Sequence, residues 1–145
     1  MSTSEFDAVI EQYHIGVDAF VKGDPELQKP IWSRRDDITL ANPVGPPARG
    51  WKQVEAAMDG AAAQVRDGEP CRYELISSYV TPELAYVLEI QSTTARLGDA
   101  SERSPISLRV TTVFRREGGD WKVVHRHADP ITQARPISSV VQQGP

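Results

Sequence analysis

The chain has 145 residues, 39% of them hydrophobic and 25% charged, a balance that suits one globular domain and excludes disordered and fibrous classes. Lys and Arg total 16 against 20 Asp and Glu, a net charge of −4, so no basic surplus exists for phosphate contacts and nucleic acid is not an expected partner. The one cysteine, Cys71, cannot form an internal disulfide or a cysteine-rich zinc site, and no apolar run nears the ~18 residues of a membrane span. The opening Met-Ser-Thr-Ser-Glu-Phe-Asp has neither a basic start nor a hydrophobic stretch, and a cytoplasmic protein without a membrane partner is expected.

The first segment reads as a helix. Phe6, Val9, Ile10, Tyr13, Val17, Phe20 and Val21 recur at three- and four-residue spacing and form one apolar stripe. Ser2 with Glu5, or Ser4 with Asp7, suits its start, and Gly23 ends it. Asp24-Pro25 then reads as a cap and first-turn proline, which predicts a short second helix carrying Leu27, Ile31 and Trp32, bent by Pro30. Ile38–Ala41 reads as a short strand, and Asn42-Pro43-Val44-Gly45-Pro46-Pro47 as an ordered loop. A third helix is predicted over Gly50–Val65, with Trp51, Val54, Met58, Ala61 and Val65 on one side.

After Asp67-Gly68 the period changes. Cys71–Val80, Leu84–Leu97, Ile106–Arg116 and Trp121–Ala128 are rich in β-branched and aromatic residues, and their connectors suit hairpins. Four such strands predict an antiparallel meander whose length forces it to curl. The expected fold is therefore α+β: three N-terminal helices packed on a strongly curved antiparallel sheet, a cone with a mouth for a small ligand. One domain is expected over 1–130, with a C-terminal tail over 131–145.

Several stretches resemble the nuclear transport factor 2-like superfamily, which includes ketosteroid isomerase and the SnoaL-like polyketide cyclases. Phe20-Val21-Lys22-Gly23-Asp24 is similar to the usual end of its first helix. Leu108–Arg116 followed by Gly119–His127 resembles the last hairpin of SnoaL-like proteins, and with Trp32–Asp36 resembles a bacterial subgroup of them. The resemblance implies the cone-shaped fold, a pocket and a homodimer formed through the outer face of the sheet. Asn42-Pro43-Val44-Gly45 is similar to the Asp-Pro-Val-Gly stretch of ketosteroid isomerase, where the Asp is the general base. An amide has no useful basicity, so Asn42 cannot perform that proton transfer. Counting along the chain places Gly16 and Thr111 where the isomerase carries its oxyanion-binding Tyr and Asp, with Tyr13 one turn earlier.

The alternation of the related hairpins aims Val124, Arg126 and Ala128 into the cone, together with Arg109, Thr111 and Val113 on the adjoining strand. Two guanidiniums lining an apolar pocket suit a carboxylate or another planar anion; the competing reading pairs them with carboxylates at a wet edge. Tyr13, Trp32, Trp51 and Tyr86 are amphipathic groups on elements that close the cone, serving as core or as ligand platform. The expected ligand-binding set is thus Tyr13, Trp32, Asn42, Trp51, Tyr86, Arg109, Thr111 and Arg126. His125 and His127 share a strand face, but no spacing motif supplies a third ligand, so no metal is expected. No glycine-rich phosphate loop occurs, and no cofactor is expected. The reading is a small-molecule-binding protein for a hydrophobic molecule with an anionic or carbonyl head. The alternative is a SnoaL-like enzyme of proton transfer, cyclisation or hydration, using a histidine or a carboxylate such as Glu89.

Overall fold

The computed structural model describes residues 3–142 of the chain. Helix α1 spans Thr3–Phe20, and its apolar stripe buries Phe6, Tyr13 and Val17 against the sheet. The capping pairs expected at its start rest on Ser2 and Ser4, whose side chains lie outside the described residues. Gly23 follows at φ +94°, a conformation that favours glycine.

The predicted second helix does not form. Pro25–Ile31 is a run of turns ending in one 3-10 turn at Lys29–Ile31. Only four residues separate Pro25 from Pro30, too few to offset helix nucleation, and Pro30 can neither donate to an i−4 carbonyl nor fit beneath one. This turn segment crosses helix α1 at Gly16, where a β-carbon would lie 2.9 Å from Cγ of Gln28. The protein therefore has two helices among its described residues, not three. Helix α2 spans Gly50–Ala62 and buries Val54, Met58 and Ala62.

Helix α2 ends earlier than its pattern predicts, because Val65 turns into a two-residue strand. The strands are β1 (Thr39–Ala41), β2 (Ala48–Arg49), β3 (Val65–Arg66), β4 (Arg72–Val80), β5 (Leu84–Leu97), β6 (Ser104–Glu117) and β7 (Asp120–Asp129). They form one curled sheet in the order β2-β1-β7-β6-β5-β3, with β4 also paired to β5. The predicted meander is β4 to β7, all antiparallel; β1 adds to β7 in parallel. The proline-rich loop after β1 returns as β2, a strand absent from the sequence reading. The helices cover the concave face, and Phe6, Tyr13, Trp32, Phe114, Trp121 and Val123 make the core there.

One irregularity decides which side chains point inward. Phe114 pairs with Val123, but the next pair is Val113 with His125, so Val124 is an extra residue in β7. On the hairpin side of this bulge Trp121 and Val123 face the core; beyond it Arg126 and Ala128 do. Residues directly opposite share a face. Arg126 lies opposite Thr112 and Ala128 opposite Val110, so Val110, Thr112 and Phe114 point inward while Arg109, Thr111 and Val113 point outward.

Residues 131–142 are exposed throughout, with a 3-10 turn at Ile137–Val140. No described helix is long and apolar enough to cross a membrane.

Candidate functional site

A cavity of about 550 Å³ opens between the C-terminal half of α1, helix α2 and the concave face of the sheet. Its depth is apolar, with Val17, Leu40, Met58, Leu108 and Ala128 among its walls. Asn42, Pro43 and Val44 in the β1–β2 loop and Leu97 and Gly98 at the end of β5 form the rim. Polar groups reach the lining from Gln28, Asn42, Gln64, Gln91, Thr93, Cys71 and Arg126. Among the described residues, Arg126 is the only charged side chain in that lining.

Arg126 sits on β7 with 9% of its surface exposed. Its Nη1 donates to the Tyr13 hydroxyl, and its Nη2 donates to Oε1 of Gln91 at 3.2 Å. Both acceptors are neutral. The Tyr13 hydroxyl lies 2.7 Å from Oγ1 of the fully buried Thr112. Gln91 in turn donates from Nε2 to Oε2 of Glu89 at 3.0 Å, and Nε2 of His14 lies 3.0 Å from both Glu89 oxygens. A continuous polar chain thus runs His14, Glu89, Gln91, Arg126, Tyr13, Thr112 beneath the cavity. Glu89 is 3% and His14 22% exposed. The His14 ring stacks on Tyr73 with centroids 3.6 Å apart, and the Tyr73 hydroxyl donates to Oδ1 of Asp18 at 2.7 Å. Burial, followed by the nearby Asp18 carboxylate, pushes the Cys71 thiol up to about 11, so at neutral pH it is not a nucleophile.

Of the residues singled out by sequence, Asn42 and Arg126 line the cavity together. Tyr13 lies one layer behind, holding Arg126. The other expected members are elsewhere. Arg109 is on the convex face in a two-point pair with Asp129, Nε 3.1 Å from Oδ1 and Nη2 2.8 Å from Oδ2. Thr111 is on that face too, because the extra residue at Val124 shifts the register by one. Tyr86 is 38% exposed on the convex face, opposite Tyr79 and Val113. Trp32 is buried in the core, where it bridges to Val123. Trp51 begins α2 outside the cavity, with the Arg34 guanidinium 3.4 Å over its ring. His125 and His127 are outward as well; Nδ1 of His125 lies 2.7 Å from Oγ1 of Thr39, and Nε2 of His127 lies 3.1 Å from Asp129.

The sequence reading missed Gln91, Gln28 and Thr112. Strand β5 explains the first. Its inward residues are Ala85, Val87, Glu89, Gln91, Thr93 and Ala95, while Leu84, Tyr86, Leu88 and Ile90 face out. Its apolar alternation therefore points away from the cavity. For Thr112 a signal existed: Ile106, Leu108, Val110 and Phe114 share its parity in β6.

The profile of the SnoaL-like domain family matches residues 7–132. Several solved structures share the fold. A ketosteroid isomerase-like protein from Erwinia carotovora atroseptica is 17% identical, with 90% of this chain and 96% of that chain covered and a TM-score of 0.73. A nuclear transport factor 2-like superfamily protein from Salmonella enterica serovar Typhimurium is 20% identical over 91% and 92% of the two chains, with a TM-score of 0.71. A protein of this fold from Pseudomonas putida, of unknown function, is 23% identical over 89% and 88%, with a TM-score of 0.64. At these identities the likeness establishes a shared fold. No curated protein matches the sequence.

Proposed function

The chain belongs to the SnoaL-like domain family, and from that premise we propose that it binds a small, mostly apolar molecule whose single anionic or carbonyl head is held by Arg126, with Asn42 as a further polar partner. One observation carries this reading: an apolar cavity contains one charged side chain, and that side chain is a guanidinium whose protein partners are neutral. A guanidinium has five N–H donors, of which Tyr13 and Gln91 take one each. A carboxylate on the ligand would satisfy more of them and meet the charge. Asn42 can both donate and accept at the rim.

Binding is favoured over catalysis by what lines the cavity. Among the described residues no carboxylate and no imidazole does so. Proton transfer, cyclisation and hydration need a base within hydrogen-bond reach of the substrate. Glu89, the carboxylate suited to that role, lies beneath the lining and is committed to His14 and Gln91. Calorimetric titration with octanoate and its uncharged amide, octanamide, tests the proposal. Tighter binding of octanoate is expected, and equal or weaker binding of it would reject an anionic head. A companion assay with a Δ5-3-ketosteroid should show no isomerisation, because Asn42 stands where a base is needed; turnover within about 1–10³ s⁻¹ would overturn that expectation.

A homodimer belongs to the same proposal. Tyr79, Leu84, Tyr86, Leu88, Ile90 and Val113 give the convex face of the sheet an apolar surface of its own. Contiguous exposed apolar surface on a sheet is ordinarily covered. Sedimentation at micromolar concentration should give twice the 16.0 kDa chain mass, and a 16.0 kDa species would count against the dimer.

A further inference from the structure

We propose that Gln91 sets the charge preference of the cavity: it is a neutral spacer that keeps the Glu89 carboxylate off Arg126, so that the guanidinium is neutralised by a ligand and not by the protein. The inference rests on the binding role just proposed for Arg126 and adds the residue that determines its specificity.

Four observations lead to it. Glu89 and Gln91 are two residues apart on β5, so both point to the concave face and toward the same polar chain. Within the hydrogen-bonded series from His14 to Thr112, Glu89 supplies the one carboxylate, and it is turned to His14, 3.0 Å away, and to the Gln91 amide, also 3.0 Å away. Gln91 is itself part of the cavity lining, whereas Glu89 is not. Finally, the Gln91 amide has only one orientation that pairs on both sides. Its N–H group must face the carboxylate, which only accepts, so its carbonyl must face Arg126, which only donates.

The consequence is electrostatic. A carboxylate at the Gln91 position would meet Arg126 directly as a charge-assisted pair in a water-poor site. An anionic ligand would then have to displace that internal partner. With an amide there, Arg126 is oriented but keeps its charge, and the pocket selects anions over neutral molecules of the same shape. Glu89 acts through Gln91 as a positioning residue and does not touch the ligand.

Octanoate and octanamide, titrated calorimetrically, provide a size-matched pair of probes that differ in charge, and their affinity ratio reports preference and not fold. Gln91→Glu should lower that ratio by ~10-fold or more, the effect of losing one charge-assisted contact. That variant places two carboxylates side by side in a buried region, so an exchange variant is needed as well. Glu89→Gln combined with Gln91→Glu conserves the net charge and moves the carboxylate from His14 onto Arg126; it should lose the preference to the same extent. Gln91→Leu removes the amide but still leaves a neutral residue between Glu89 and Arg126, so it should lose clearly less of the preference than the exchange variant does. Two results overturn the inference: an exchange variant that still prefers octanoate as the wild type does, or a leucine variant that loses the preference as fully as the exchange does. A wild-type protein with no preference at all rejects the Arg126 reading and this inference together. A preference in the wild type that survives the exchange rejects this inference alone.

Discussion

Arg126→Met weakens octanoate binding by ~1.5–3 kcal/mol, the scale of a hydrogen bond to a charged group, and leaves octanamide binding within ~1 kcal/mol of the wild type. Methionine keeps an unbranched apolar stem, so the cavity wall is preserved and the charge alone is lost. The Tyr13 hydroxyl retains Thr112 as a partner at 2.7 Å and the Gln91 N–H group retains Glu89 at 3.0 Å, while the Gln91 carbonyl loses its donor and is left facing the cavity. Titration of both probes with the variant, alongside a thermal melt, checks the claim. Unchanged octanoate affinity in a folded variant would remove Arg126 from the binding site.

Phe114→Ala destabilises the protein by ~3–5 kcal/mol, the usual cost of truncating a fully buried phenylalanine. Phe114 is 0% exposed and is the centre of an aromatic cluster. Its ring centroid lies 5.2 Å from that of Phe6 and 5.7 Å from that of Tyr13, both in edge-to-face contact. Phe6 in turn meets Trp121 at 5.3 Å. These contacts fasten α1 to the last hairpin, so the loss falls on the union of helix and sheet. Urea unfolding should show a lower midpoint with an unchanged slope. Val113→Ala, one residue away on the convex face, should cost less. The reverse order would place the bulge elsewhere and return Arg109 and Thr111 to the cavity. Tyr13 packs on Phe114 and bonds Arg126, so a cavity at Phe114 also loosens the group that orients the guanidinium.

Much of the architecture is local and therefore legible in the chain. The stripe from Phe6 to Val21 has the period of a helix, and Leu84–Leu97 has the length and β-branching of a strand that the structure reproduces at both ends. The hairpin connectors at Thr81-Pro82-Glu83 and Glu117-Gly118-Gly119-Asp120 carry the residues that tight turns demand, and Gly118 and Gly119 adopt φ of +58° and +91°. The segment between Pro25 and Pro30 misled because a capping signal says where a helix can start, not whether enough residues follow to sustain it. Val65 left its helix for a strand because pairing with Leu97 is available only in the folded sheet.

The chain by itself determined which residue types the cavity could draw on: a guanidinium at Arg126, an amide at Asn42, and apolar walls on α1 and α2. Tertiary structure decided which of them meet. One extra residue at Val124 shifts the pairing of β6 and β7 by a single position, and a one-residue shift exchanges the two faces of a strand. That shift brings Thr112 beneath the cavity and sends Arg109 out to Asp129. Likewise β5 turns Glu89 and Gln91 inward and Leu84, Tyr86 and Leu88 outward, against the usual bias of burial. The inward position of those polar groups is stable because His14, Arg126 and Tyr13, distant in sequence, complete their hydrogen bonds. Alternation along one strand carries no information about partners on another, and only the assembled sheet and helix supply them.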